Sequence, residues 1–136
     1  MVDETRVLRL LRAMTDDVSR LETEADSSSE RRSDPMWLAG VKYHFVTAIE
    51  AAVDVAQHIC AAEGWGPPTT NGQAIELLGS RGVLGSALSG QMRRAVGFRN
   101  VLVHEYVDVD DSVVIARLQG LDDLRDFARS VADWLD

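Results

Sequence analysis

The sequence predicts an all-α protein, an antiparallel bundle of four to five helices in a single domain over residues 1–136. Apolar residues recur at steps of three and four along most of the chain, and this is the period of an amphipathic helix. Gly and Pro cluster at only a few points, which divide the chain into helical segments. The length is that of one ordinary domain with a core of its own.

The first predicted helix covers residues 3–24 and starts at Asp3, a residue type that caps helices well. Its apolar stripe consists of Val7, Leu11, Met14, Val18 and Leu21. The following polar run, residues 25–33, has no apolar period. It therefore predicts a loop or a frayed helix end.

The second predicted helix begins after Asp34, with Pro35 at the first helical position, where a missing N–H costs little. It should end at about Glu63, because residues 64–68 contain two glycines and two prolines. Its buried stripe is expected to comprise Leu38, Val41, Phe45, Ala48, Ala52, Ala56 and Ile59. The opposite side should carry a polar stripe made of Tyr43, Thr47, Glu50, Asp54 and His58.

The remaining helical segments are shorter and are separated by glycines. A short helix over residues 73–78 leads through a glycine hinge, residues 79–85, to a third long helix over residues 86–103. Core candidates on that helix are Leu88, Met92, Ala95, Val96 and Leu102. A last helical region over residues 114–135 should be interrupted near Gly120.

The composition indicates a soluble globular protein, with 46% hydrophobic and 26% charged residues. No continuous apolar run approaches the roughly 20 residues that cross a bilayer, so no membrane association is expected. The acidic N-terminal residues 1–6 lack the apolar core of a signal peptide, and the expected location is the cytoplasm. Cys60 is the one cysteine, which excludes an intramolecular disulfide, and with three histidines it gives no familiar metal-ligand spacing. We expect neither a metal nor a cofactor.

The net charge of −8 argues against nucleic acid as a ligand, because phosphate neutralisation supplies most non-specific affinity. The distribution of charge points the other way. Residues 77–104 contain no Asp or Glu, and the arginines among them are Arg81, Arg93, Arg94 and Arg99. A local positive face can attract an anion to an acidic protein. An unevenly charged solvated surface would explain the same pattern.

The residues with the clearest chemistry are Arg99, His104 and Tyr106, which place a permanent cation, a group that titrates near neutrality and a phenol close together. The guanidinium of Arg fits phosphate oxygens with two parallel hydrogen bonds. The imidazole of His can take or give a proton at cellular pH. The set could therefore act on a phosphodiester without a metal.

Within Phe98–Tyr106, four residues separate Arg99 from His104, and one residue separates His104 from Tyr106. This spacing resembles the signature of the HEPN superfamily, and more narrowly that of the HepT toxins of bacterial toxin–antitoxin pairs. The helical stretch at residues 48–59, the turn at 64–68, the Leu77–Leu78 pair and the closing segment at 121–127 follow in the family's order. The resemblance implies a homodimeric helical bundle that cleaves RNA as a metal-independent endoribonuclease.

The resemblance also implies the roles of individual residues and a partner. Arg99 and His104 would be catalytic, and Tyr106 would accept AMP from a cognate nucleotidyltransferase antitoxin of the MNT type, which silences the toxin. Asn100 would support His104, which lies one helical turn further on. Glu50 and Asp54 lie one turn apart on the polar stripe and could support the site. They could equally be solvated, or pair with Arg93, Arg94 or Arg99.

Helix geometry restricts how one chain could complete such a site. Arg99 and His104 differ by about 140° around a straight helix, so one helix does not aim both at one point. Either the chain leaves the helix near His104, or a second subunit supplies its own copy of the motif. Family members resemble the second case.

Two other functions remain open from the sequence. One is a non-catalytic nucleotide-binding or adaptor protein that works with a minimal nucleotidyltransferase, and the other is a structural helical dimer. The motif disfavours the structural dimer, because such a dimer would not need this combination of Arg, His and Tyr. It does not separate the nuclease from the adaptor.

Overall fold

The computed structural model describes residues 1–105 and 108–136, and within them the protein forms seven helices and no strand. They are α1 (Glu4–Ala25), α2 (Ser29–Arg32), α3 (Pro35–Glu63), α4 (Asn71–Ser80), α5 (Ser86–His104), α6 (Asp111–Arg117) and α7 (Asp122–Leu135). The predicted all-α class is confirmed. There are more helices than the expected four to five, because the polar run contains α2 and the break near Gly120 separates α6 from α7.

Helix α1 packs antiparallel to α3, and polar contacts hold both ends of the pair. Near its start, the Asp3 N–H donates to Nε2 of His58 (2.9 Å). Further along, the buried carboxylate of Asp17 bonds Nδ1 of His44 (2.9 Å) and accepts from the Thr47 hydroxyl (2.6 Å). Thr47 and His58, which were expected on the polar stripe of this helix, therefore form hydrogen bonds with α1 or its N-cap. The predicted apolar stripe of α1 is fully buried.

Helix α2 shows why the polar run 25–33 is not simply a loop. Ser28 caps it, and Arg31 forms a bidentate ion pair with Glu24 at the end of α1, with N···O distances down to 2.7 Å. The hydrogen bonds from Arg31 lower the pKa of Glu24 to about 2. Polar contacts stabilise this helical turn, so the spacing of apolar residues in the sequence does not predict it.

Helix α3 is the central helix, and its predicted limits are confirmed. Asp34 caps it, Pro35 opens it, and Gly64 ends it in the left-handed conformation at φ 72°. By length and composition α3 resembles a helix that could cross a membrane, although Lys42, Glu50 and Asp54 interrupt it and it has no continuous apolar run of about 20 residues. In the bundle 56% of its most apolar window is buried, as in the core helix of a folded domain.

Helices α4 and α5 pack closely at the glycine hinge. A Cβ at Gly79 would collide with the side chain of Ser89, so glycine permits the close approach of the two helices. Gly82 adopts φ 81° in the turn between them, which an L side chain rarely does. The core face of α5 then packs on α3, where Phe98 meets Phe45 edge to face at 5.2 Å. This packing fixes the orientation of the motif residues that follow Phe98.

Candidate active site

Arg99 is held in place by two polar side chains, one on α3 and one on α5. Its Nη2 donates to Oε1 of Glu50 (2.8 Å), and its Nη1 donates to Oδ1 of Asn100 (3.0 Å). The Arg99 side chain is 18% exposed and that of Glu50 is 45% exposed. Two of its three nitrogens are thus engaged, and the guanidinium has one defined position at the edge of the core.

The third nitrogen of Arg99, Nε, is buried and has no hydrogen-bond partner among the described residues. A buried N–H without an acceptor costs free energy, on the order of 1–3 kcal/mol for an ordinary polar group. Nε is covered by protein, whereas Nη1 and Nη2 each donate only one hydrogen bond to a described side chain and keep a further N–H. The arrangement combines a fixed cation with unused hydrogen-bonding capacity.

His104 is the last residue of α5 and is exposed. Its imidazole makes no hydrogen bond to any residue in the described part of the chain. The backbone does not leave the helix before it, since the Glu105 N–H still donates to the Val101 carbonyl (2.9 Å). The chain leaves the helix only after His104, at Glu105 (φ −126°, ψ 33°), so His104 keeps its helical position about 140° around α5 from Arg99. Arg99 points toward α3, and His104 lies on the outward side of α5.

The supporting residues are only partly brought together. Asn100 bonds Arg99 rather than His104. Glu50 is the ion-pair partner of Arg99, which was one of the alternatives for this carboxylate. Asp54 lies one turn further along α3, is exposed, and has no ion pair with a described residue. Tyr106 lies outside the described residues, so its role stays a prediction.

The described residues contain no group of three or more His, Cys, Asp or Glu side chains that could hold a metal ion. Cys60 is buried, and burial raises the pKa of its thiol.

A groove next to the motif was not predicted from the sequence. It has a volume of about 500 Å³ and lies between the start of α4 and the outward face of α5. Its lining includes Asn71, Gly72, Arg93, Arg94, Gly97 and Asn100. In the sequence, the absence of Asp and Glu from residues 77–104 indicates the side of the groove that α5 forms. The α4 wall depends on tertiary packing, which has no sequence signal of its own.

Comparison with known proteins agrees with this fold. Residues 7–131 match the family model of the ribonuclease HepT-like proteins. A protein of Archaeoglobus fulgidus named as a candidate RNase is 30% identical over 90 residues, which cover 66% of this chain and 67% of the relative. The mRNA nuclease HepT of Shewanella oneidensis is 25% identical over 111 residues, which cover 81% of this chain and 84% of the relative.

The fold is also that of a solved structure, a tri-AMPylated HEPN toxin of Shewanella oneidensis in complex with MNT antitoxin. The TM-score is 0.87, and the alignment covers 98% of this chain and 99% of the toxin at 22% identity. At that identity the likeness shows the fold. The family model covers nearly the whole chain, and with it the chain belongs to the ribonuclease HepT-like family.

Proposed function

We propose that this protein is the toxin of a toxin–antitoxin pair, a metal-independent endoribonuclease whose catalytic residues are Arg99 and His104. The observation that carries the proposal is the contrast between these two side chains on one helix. Arg99 is fixed by hydrogen bonds to Glu50 and Asn100, whereas His104 is exposed and free of hydrogen bonds to described residues. RNA and ATP are both available in the cytoplasm, where we expect the protein to act.

The proposed reaction uses the 2′-hydroxyl of the substrate as the nucleophile. A bond forms between the 2′-oxygen and phosphorus while the bond from phosphorus to the 5′-oxygen breaks. An imidazole accepts the proton of the 2′-hydroxyl, and an imidazolium donates a proton to the departing 5′-oxygen. Arg99 would stabilise the extra negative charge on the phosphoryl oxygens in the transition state. The products are a 2′,3′-cyclic phosphate and a 5′-hydroxyl.

The site needs a second subunit, because α5 keeps Arg99 and His104 on different sides of the helix. We infer a homodimer in which His104 of each chain approaches Arg99 of its partner, so that each of the two sites takes its arginine from one chain and its imidazole from the other. Among the described residues, most of the large apolar side chains that are exposed lie on α3, α5 and α6, and contact with a second copy would cover them. They are Met36, Tyr43, Val101, Val103 and Val113.

Glu50 would act as a positioning residue for Arg99. Its carboxylate holds Nη2 while remaining almost half exposed, so a phosphate can approach the same guanidinium without first breaking a buried ion pair. Asp54, one turn away and without an ion-pair partner in the described chain, would contribute negative charge at the edge of the site. These roles are supported by geometry alone.

Cleavage is expected to persist in EDTA, because neither the nucleophile nor the two proposed catalytic residues require a metal. The measurement is incubation of the purified protein with end-labelled RNA, with and without EDTA, followed by analysis of the new termini. A 2′,3′-cyclic phosphate in both samples is the expected result. Loss of cleavage in EDTA would contradict the mechanism, and intact RNA in both samples would favour the nucleotide-binding or adaptor function.

We also propose that a cognate nucleotidyltransferase of the MNT type silences the protein by transferring AMP to Tyr106. A free phenol has a pKa near 10 and is a poor nucleophile at neutral pH, so the partner would have to supply the base. The phenolic oxygen would form a bond to the α-phosphorus of ATP, and pyrophosphate would leave. The adduct would then place phosphate near Arg99 and occupy the cation that RNA needs.

Mass spectrometry after incubation with the partner and ATP tests this modification. We expect one or more additions of AMP that disappear in Tyr106→Phe, together with loss of RNA cleavage by the modified protein. Tyr43 offers a matched control, since it is an exposed tyrosine on α3. Adducts that survive Tyr106→Phe, or that leave cleavage intact, would contradict the proposal.

A further inference from the structure

The groove between α4 and α5 has the charge expected of a site for an anion. Its lining contains two arginines and no acidic residue, although the chain as a whole carries a net charge of −8. The groove therefore differs in charge from the protein as a whole. A polyanion is therefore repelled less at this groove than at the acidic remainder of the protein surface.

Arg93 and Arg94 are exposed, and neither forms an ion pair or hydrogen bond with a residue in the described ranges. By contrast, Arg99, Arg117 and Arg125 each hold a carboxylate. Because no acid neutralises Arg93 and Arg94, both guanidinium groups are free to bind a ligand. A guanidinium fork binds phosphate oxygens with good geometry.

The groove is aligned with the end of α5 that carries the motif. Arg93, Gly97, Asn100 and His104 follow one another at steps of four, three and four, so they share one face of the helix. The distance from the first to the last is about 16 Å along the helix axis. A strand lying in the groove would therefore lead directly to the imidazole.

Gly97 has no evident purpose in the single chain. Glycine is unfavourable in a helix interior, and a Cβ at this position would meet nothing within 4 Å. The fold would accept a larger residue here. Because Gly97 has no side chain, a ligand backbone can lie close to the helix at this point.

We propose that this groove holds the phosphodiester backbone of single-stranded RNA on one side of the scissile bond, with Arg93 and Arg94 each contacting a phosphate. The inference rests on the proposed nuclease function and adds the place where flanking nucleotides bind. RNA is favoured over a protein ligand because the groove offers guanidinium groups without acidic partners among the described residues, beside the two glycines of α5, Gly90 and Gly97. Substrate binding would then gain from nucleotides that take no part in the chemistry.

The test compares Arg93→Gln/Arg94→Gln with Arg9→Gln/Arg12→Gln, which removes the same charge from exposed positions on α1. Binding is measured by fluorescence anisotropy with a 2′-O-methyl RNA strand, which lacks the nucleophile and is not cleaved. We expect the groove variant to raise Kd about tenfold at physiological salt. Its salt slope should fall by about 1.4, as two lost phosphate contacts to a single strand predict.

Cleavage kinetics provide the second readout. With a long RNA the groove variant should raise KM and leave kcat near that of the wild type. With a dinucleotide, which is too short to reach the groove, its kcat/KM should be unchanged. Gly97→Leu, which fills the floor without removing charge, should also weaken binding of the long strand.

The outcomes separate this inference from the proposed function. Unchanged Kd and KM with active enzyme would overturn the groove and leave the nuclease intact. If the wild-type protein never cuts RNA, but the groove variant binds RNA more weakly than the wild type does, the groove is supported and the nuclease function is overturned. An equal loss on the dinucleotide, or loss of antitoxin binding with unchanged RNA binding, would also overturn the groove.

Discussion

His104→Ala is expected to abolish RNA cleavage, with a loss of about 10²- to 10⁴-fold, the usual contribution of a general acid or base. The imidazole is the only group in the described motif that can move a proton near neutral pH. Alanine at this position is also favourable for the helix. The rate should therefore fall without a change in the helical content or melting temperature.

The measurement is the single-turnover cleavage rate of the variant at saturating protein, with circular dichroism as the check on folding. His58→Ala is a useful comparison, because it removes a histidine that bonds the Asp3 N–H far from the motif. That variant should lose some stability and keep its cleavage rate. A wild-type rate in His104→Ala would exclude His104 from the mechanism.

Arg99→Ala is expected to reduce kcat about 10²- to 10³-fold, on the scale of removing one donor that stabilises a developing oxyanion. The variant leaves Glu50 without its partner, but that carboxylate is 45% exposed and can be hydrated. The loss of stability should then be small, about 1 kcal/mol or less. Activity should therefore fall far more than stability does.

Arg99→Lys is the matched control, since it keeps the charge and removes the planar fork. A lysine ammonium is a single point of charge and does not reproduce the bonds to both Glu50 and Asn100. We expect an intermediate rate, above that of Arg99→Ala and well below the wild type. Full activity in Arg99→Lys would mean that charge alone matters, and full activity in Arg99→Ala would remove Arg99 from the site.

The sequence allowed the helical segments to be predicted because the signals for them are local. Asp3 and Asp34 cap helices as their residue types predict, and Gly64 ends α3. The predicted apolar stripes lie in the core, except that Leu38 and Leu88 are only partly buried. The family was also predicted correctly from a short motif in a helical setting. Helix α2 was missed because it depends on the pair between Arg31 and Glu24, which has no apolar period.

The arrangement of the site was harder to predict because it depends on contacts between helices. Glu50 had three possible arginine partners, and only the packing of Phe98 on Phe45 decides that Arg99 is the one it meets. Asn100 was expected beside His104 from helical spacing, but the guanidinium next to it in the chain is the stronger donor. The groove likewise depends on where α4 lies against α5.

The central claim is that Arg99 of one chain works with His104 of its partner, and mixing two inactive variants tests it most directly. Sedimentation first establishes that Arg99→Ala and His104→Ala are dimers, and co-expression in equal amounts then gives mixed dimers. In a mixed dimer one site combines both mutations, and the other combines intact Arg99 with intact His104. Half of the dimers would then carry one working site of two, so about one quarter of the wild-type rate should return. A mixture as inactive as either variant alone would contradict the shared site.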